Sequence, residues 1–217
     1  MSFVTYAIGD IHGCMDKLRR LVRRCQSDAG DQIKFVFLGD YIDRGPDSRT
    51  VVEYLIALQN RMMTRVVCLL GNHEELALAA LHGSLNEEQW LFNGGGETLR
   101  SYGITAAAEM PDEHIAWMKS LPTYHDDGRR FFVHAGIHPS RPLDAQDEHD
   151  LIWIREPFLS NNKDYGRLIV HGHTPVRAPE VRPNRVNIDT GAVLGGPLTA
   201  AAFNDLMTGP TKLLQET

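Results

Sequence analysis

The chain has 217 residues, 42% of them apolar and 23% charged, which suits one substantial core and excludes a disordered or fibrous protein. A formal net charge of −6 argues against a general nucleic-acid binder, although local arginines can still receive an anionic ligand. No apolar stretch nears the ~20 residues that span a bilayer, so neither nucleic acid nor membrane is an expected partner.

A short apolar run over 3–8 predicts a buried strand and stops at Gly9-Asp10-Ile11-His12-Gly13. A helix follows near 15–26, where Cys14, Leu18, Leu21, Val22 and Cys25 recur at helical spacing and turn both thiols toward the core. Strand 33–38 stops at Gly39-Asp40-Tyr41-Ile42-Asp43-Arg44-Gly45, and Pro46-Asp47-Ser48 offers N-cap chemistry for a helix near 48–60. Strand 65–70 stops at Gly71-Asn72-His73-Glu74 and leads into a helix near 74–82. This β-α rhythm predicts a largely parallel sheet. Residues 84–122 change character, with apolar residues at helical spacing, the Asn93-Gly94-Gly95-Gly96 break, and Pro111 opening a helix that carries Trp117 and Leu121. They read as a small helical insertion in a single domain spanning 1–217. Beyond Pro122 strands dominate, at 130–133, 168–171, 185–189 and 198–204. The expected fold class is α/β, with two packed mixed β-sheets flanked by helices.

Three later strands end in the same way as the first three, at His134-Ala135-Gly136, His171-Gly172-His173 and Asp189-Thr190-Gly191. Polar residues just past such strands gather at one sheet edge, where open α/β folds place their sites. Asp10 and His12, two residues apart, would leave one face of an extended segment together. Asp40 has two oxygens and can bridge two cations, Asn72 offers a carbonyl oxygen, and His134 and His173 offer imidazoles. Taken singly, each Asp reads as a helix cap and each His as a satisfied core or surface residue. Jointly, oxygen and nitrogen donors without cysteine favour a pair of divalent ions such as Mn, Fe or Zn over a structural zinc. Such a pair would lower the pKa of a shared water and give hydroxide at neutral pH. The three cysteines, Cys14, Cys25 and Cys68, show no C-x-x-C spacing and read as free thiols suited to a reducing cytoplasm. No signal-peptide pattern precedes the first strand.

The blocks Gly9-Asp10-x-His12-Gly13, Gly39-Asp40-x-x-Asp43-Arg44-Gly45 and Gly71-Asn72-His73-Glu74, followed by His134-Ala135-Gly136 and Gly172-His173, resemble the phosphoprotein phosphatase family of metallophosphoesterases in order and spacing. Trp90, Asn93-Gly94-Gly95, Thr98 and Ser101-Tyr102-Gly103 further resemble its small bacterial and bacteriophage lambda branch. The resemblance implies a calcineurin-like sandwich and two divalent metals, with Mn2+ expected first. It implies Asp10, His12 and Asp40 as ligands of the first ion, Asp40 being shared, and Asn72, His134 and His173 as ligands of the second. His73 would be the general acid, oriented by Asp43, because a serine or threonine alkoxide leaves poorly unless protonated. Arg44 would hold the phosphoryl oxygens, and Arg155 in Ile152-Trp153-Ile154-Arg155 would be a second clamp.

The implied activity is hydrolysis of phosphoserine and phosphothreonine monoesters, with phosphotyrosine as a further substrate. Its partners would be phosphorylated proteins, peptides or small phosphorylated molecules. The chain resembles a minimal catalytic core without the family's long eukaryotic C-terminal extension, so no regulatory subunit is expected. The rival is a symmetrical dinucleoside polyphosphate (diadenosine tetraphosphate) hydrolase. Asp43 in place of that group's usual Ala, Glu74 in place of Asp, and the short 137–171 spacer favour the protein phosphatase. Leu70, where protein phosphatases commonly carry Arg, leans the other way. Arg177, Arg182 and Arg185 either replace that charge or form a solvated basic loop. A non-catalytic binding module is disfavoured by the complete donor set. Asp189-Thr190-Gly191 reads as a supporting turn or part of the cleft wall, and His171 is left without a role.

Overall fold

The computed structural model describes residues 3–217; residues 1 and 2 of the expected domain lie outside the described residues. Strands β1 (Val4–Ile8), β2 (Ile33–Phe37) and β3 (Val66–Cys68) are parallel, with Tyr6 opposite Phe35 and Phe35 opposite Val66. Helix α1 (Met15–Ala29) links the first two strands and α2 (Ser48–Met62) the second pair. Helix α3 (Asn72–Ala80) leaves β3. The 84–119 segment carries α4 (Ser84–Trp90), a π-turn over Leu91–Gly95, α5 (Gly96–Tyr102) and α6 (Asp112–Lys119).

Next come β4 (Tyr124–Asp126), β5 (Arg130–Val133), α7 (Glu148–Trp153), β6 (Leu168–His171), β7 (Glu180–Val181) and β8 (Arg185–Asn187). The chain closes with β9 (Leu198–Phe203) and β10 (Lys212–Glu216). The two sheets have five strands each, in the orders β10-β9-β1-β2-β3 and β4-β5-β6-β8-β7. In the second, β5, β6 and β8 are parallel and the edges β4 and β7 antiparallel. The expected pair of mixed sheets flanked by helices is therefore the observed fold. The first sheet is not built from the N-terminal half alone, because β9 and β10 return antiparallel to complete it.

Alternation along the strands explains the layering. Tyr6, Ile8, Phe35 and Phe37 face α1 and α2, while Ala7 and Val36 point between the sheets. From the other side Phe132, Leu168, Val170 and Val186 meet them, and Phe131, Val133 and Ile169 face outward against α7. Strands largely buried on both faces need little polar alternation, which is why they appear mainly as apolar runs. The α1 stripe buries Met15, Leu18, Leu21, Val22 and Cys25, whereas Cys14 is only half-buried.

Two local expectations change. Asp47 precedes α2 without a side-chain capping bond, and the Ser48 hydroxyl instead accepts from the Asp43 N–H at 3.1 Å. His12 has φ +45°, so Asp10 and His12 do not lie on one extended segment; a left-handed turn aims the imidazole.

Candidate metal centre

The six parallel strands are the six whose endings carry Asp, His, Asn and Gly, and their C-terminal loops meet where the two sheets adjoin. His12, Asp40 and His73 bring one donor atom each to within 4.8 Å of one another, and Asp40, His134 and His173 do the same. Asp40 belongs to both groups. Every one of these residues is buried.

Hydrogen bonds at the rear of each ring decide which nitrogen faces inward. His12 Nδ1 lies 2.8 Å from Ile42 O, and His134 Nδ1 lies 2.8 Å from Leu38 O. A carbonyl only accepts, so both rings carry the proton on Nδ1 and present a bare Nε2. His134 Nε2 then meets Asn72 Oδ1 at 2.9 Å and Asp40 Oδ1 at 3.4 Å, three acceptors converging on one point. His173 Nδ1 approaches the same Asn72 oxygen at 2.9 Å, and His173 Nε2 is buried without a partner. Converging lone pairs and an orphaned imidazole nitrogen are the environment a divalent cation satisfies. The donor set fits a pair of such ions.

Electrostatics agree. Burial, then His134, holds the His173 pKa down at about 3, and burial pushes His12 to about 3 as well, so both rings are held neutral. Burial raises the Asp10 carboxyl well above the usual range, with Asp189 and Asp40 adding repulsion. Burial also lifts Asp189 to about 6. Asp40 moves the other way: burial opposes its charge, but His134, His73 and His12 outweigh that and draw its pKa down. Crowded buried carboxylates of this kind call for positive charge.

Asp10 lies outside both compact groups. Its carboxylate accepts the His173 N–H at 3.1 and 3.2 Å. A β-carbon on Gly172 would overlap that carboxylate, so only glycine lets the two loops meet here. Gly71 is held to the same standard by the backbone and side chain of Asp40.

His73 is oriented differently from the other rings. Its Nδ1 donates to Asp43 Oδ2 at 2.7 Å, and its Nε2 lies 4.0 Å from Asp40 Oδ2. Burial disfavours the imidazolium, yet Asp40 and the Asp43 bond outweigh it and raise the His73 pKa. Asp43 is fully buried and accepts from Trp90 Nε1 at 2.9 and 3.0 Å and from the Thr98 hydroxyl at 2.7 Å. Burial raises its pKa, but these donors favour the carboxylate, so the shared proton belongs to His73. Gly94 O accepts the Arg44 N–H at 3.2 Å, so the 84–102 helices hold both Asp43 and Arg44.

Both arginines are exposed at the rim. Arg44 Nη1 donates to His12 Nε2 at 3.0 Å. On the other side, Arg155 adds to the burial that lowers His134 and His173. Leu70 packs against the cores outside both sheets, and its N–H donates to Pro122 O at 2.8 Å. The basic loop divides: Arg177 is exposed, Arg182 pairs with Glu180, and Arg185 is buried against His171.

Sequence reasoning missed Glu74 as a scaffold. Its buried carboxylate accepts the N–H groups of Asp40, Tyr41, Ile42 and Gly71 at 2.7 to 3.2 Å, tying the second motif to the third. Its position next to His73 was the available signal. Asp189 is buried, and its charge adds to the repulsion on the Asp10 carboxyl.

A two-sheet sandwich with paired His/Asp donor groups at its strand ends defines a hydrolase of the metal-dependent phosphoester class. The chain matches the calcineurin-like phosphoesterase family over residues 3–201 and belongs to it. It is 34% identical to serine/threonine-protein phosphatase 1 of Salmonella typhimurium, covering 90% of each chain. It is 29% identical to an asymmetrical bis(5'-nucleosyl)-tetraphosphatase of Bacillus anthracis, covering 93% of this chain and 91% of the other. Its fold matches a crystal structure described as a cold-active protein tyrosine phosphatase, with a TM-score of 0.71, 18% identity, and 98% and 78% of the two chains covered. The protein is a metallophosphoesterase.

Proposed function

We propose that this metallophosphoesterase hydrolyses phosphoserine and phosphothreonine monoesters in proteins or peptides, and phosphotyrosine as a further substrate. The observation that carries the reading is the buried His73–Asp43 pair at 2.7 Å, an acid poised for a leaving group that must be protonated. The 34% identity to a serine/threonine-protein phosphatase supports it.

Asp10, His12 and Asp40 would hold one divalent ion, and Asp40, Asn72, His134 and His173 the other. Mn2+ is the preferred metal, with Fe and Zn as alternatives. When bound, the ions supply Lewis acidity toward the phosphoryl oxygens and a lowered water pKa. Arg44 and Arg155, at opposite ends of the donor cluster, grip the phosphoryl oxygens by charge-assisted hydrogen bonds. His73 is not a ligand in this scheme, because Asp43 holds its Nδ1–H and frees its Nε2–H to protonate the departing oxygen. The free thiols support a cytoplasmic setting.

A second reading, hydrolysis of a dinucleoside tetraphosphate, is favoured by the 29% relative and by Leu70 in place of an arginine. That relative is of the asymmetrical type, which moves this alternative away from symmetrical cleavage. Comparing kcat/KM of the Mn2+-loaded enzyme on phosphoserine, phosphothreonine and phosphotyrosine peptides with diadenosine tetraphosphate decides between them. The peptides should lead; a strong preference for the dinucleotide would overturn the main reading.

A further inference from the structure

Arg185 takes no part in the proposed chemistry, yet it is only 2% exposed and its contacts end at the metal-centre loop. Its Nη1 lies 2.7 Å from Glu180 Oε2 and 3.3 Å from His171 Nε2, and its Nη2 donates to Leu159 O at 3.1 Å. Phe158 closes the other side, edge-on to His171 with ring centroids 5.0 Å apart. A guanidinium can only donate, so His171 Nε2 accepts and the ring proton sits on Nδ1. That Nδ1 lies 3.2 Å from Gly172 O.

The carbonyl so engaged belongs to the peptide that enters His173. The N–H of the same peptide donates to the Asp10 carboxylate. His173 itself has φ +65°, a conformation that must be held from outside. One peptide plane therefore joins a donor from each side of the centre, and its tilt depends on the tautomer that Arg185 selects.

We propose that Glu180, Arg185 and His171 form a relay of positioning residues that fixes the Gly172–His173 peptide and thereby holds Asp10 and His173 in place for the two cations. This rests on the metal assignments given under the proposed function. A purely structural role fits less well. Burying a guanidinium is unfavourable unless it is fully paired, and Arg185 Nε finds no partner. An apolar side chain would fill the space without that cost, but could not choose the His171 tautomer.

The test is Mn2+ affinity, measured by equilibrium dialysis with elemental analysis on full-length Arg185→Met, Arg185→Lys, His171→Gln and Glu180→Gln. Loss of a group that orients metal ligands weakens metal binding by about 10–100-fold, and Arg185→Met should fall in that range. Glu180→Gln should move in the same direction by less, and Arg185→Lys should recover part of the loss. At saturating Mn2+, kcat on an aryl phosphate should stay within about twofold of wild type, since none of these groups touches substrate. A lowered thermal midpoint with unaltered Mn2+ affinity would mark Arg185 as merely structural and overturn the relay. If Arg185→Met does not fold, Glu180→Gln and His171→Gln decide by the same criterion. Wild-type protein that takes up no Mn2+ would instead refute the metal assignments themselves, and the relay with them.

Discussion

Among the described residues, the non-glycine residues with positive φ are His12, Asp40, Asp43, Arg44, His173 and Met63. All but Met63 lie in the loops that form the candidate site. Such conformations cost about 1–3 kcal/mol each and persist only where the surroundings over-determine them. Glu74 is one such surrounding group, since it holds three consecutive N–H groups of the Asp40 loop. Glu74→Ala should therefore cost at least about 2 kcal/mol in urea unfolding, because it strands buried donors. His73→Asn should leave metal content at the wild-type level while lowering turnover on alkyl phosphates by orders of magnitude. An aryl phosphate should suffer less, because its phenolate departs with little help; equal losses on both would remove His73 from the acid role. The pH profile supplies an independent check. Asp40 raises the His73 pKa and the Asp43 bond adds further support, so the acid form survives to higher pH than in an ordinary histidine. Asp43→Asn removes that support, and the alkaline limb of kcat/KM should move to lower pH; an unmoved limb would mean another group sets it.

The 84–102 helices act as a bracket for the His73–Asp43 pair. Trp90 and Thr98 reach the Asp43 carboxylate, and Gly94, at the kink of the π-turn with φ +107°, offers its carbonyl to Arg44. Trp90→Phe keeps most of the apolar volume but deletes the donor. Its expected cost is about 1.5–3 kcal/mol of stability, the value of a hydrogen bond to a charged group. Turnover on alkyl phosphates should fall with metal content unchanged, as read by chemical denaturation and elemental analysis together. Much of this layer is legible in the chain. The helical spacing of the segment and the residues Trp90, Asn93-Gly94 and Thr98 stand out in sequence, and the six buried parallel strands do so as apolar runs. The elements that escape are short or lie at sheet edges. Strand β4 reads Tyr-His-Asp, β7 has two residues, and β10 has only exposed and half-exposed positions, so none carries the signature of a buried strand. Long-range pairing alone makes them strands. Glu74 and Arg185 are opaque for a related reason, because a charged side chain reads as solvated until its buried partners are known.

Across the whole molecule, the proposed centre would join the two sheets by chemistry as well as by packing. Asp10, His12 and Asp40 follow strands of the first sheet, and His134 and His173 follow strands of the second. Ions held between them would act as ligands of the folded state only. Chelation should lower the thermal midpoint, and Mn2+ at 100 times its Kd should restore about 2.7 kcal/mol per ion. An unchanged midpoint would mean that the sheets are held by packing alone.

Asp40 is the one side chain common to both donor groups, which makes it the sharpest probe of the paired-ion arrangement. Elemental analysis of Mn2+-loaded wild type, Asp10→Asn, His173→Ala and Asp40→Asn tests it directly. Two ions per chain are expected in wild type, one in each of the first two variants, and none tightly held in Asp40→Asn. Wild-type stoichiometry in Asp40→Asn, or a single ion in wild type, would contradict a shared two-ion centre.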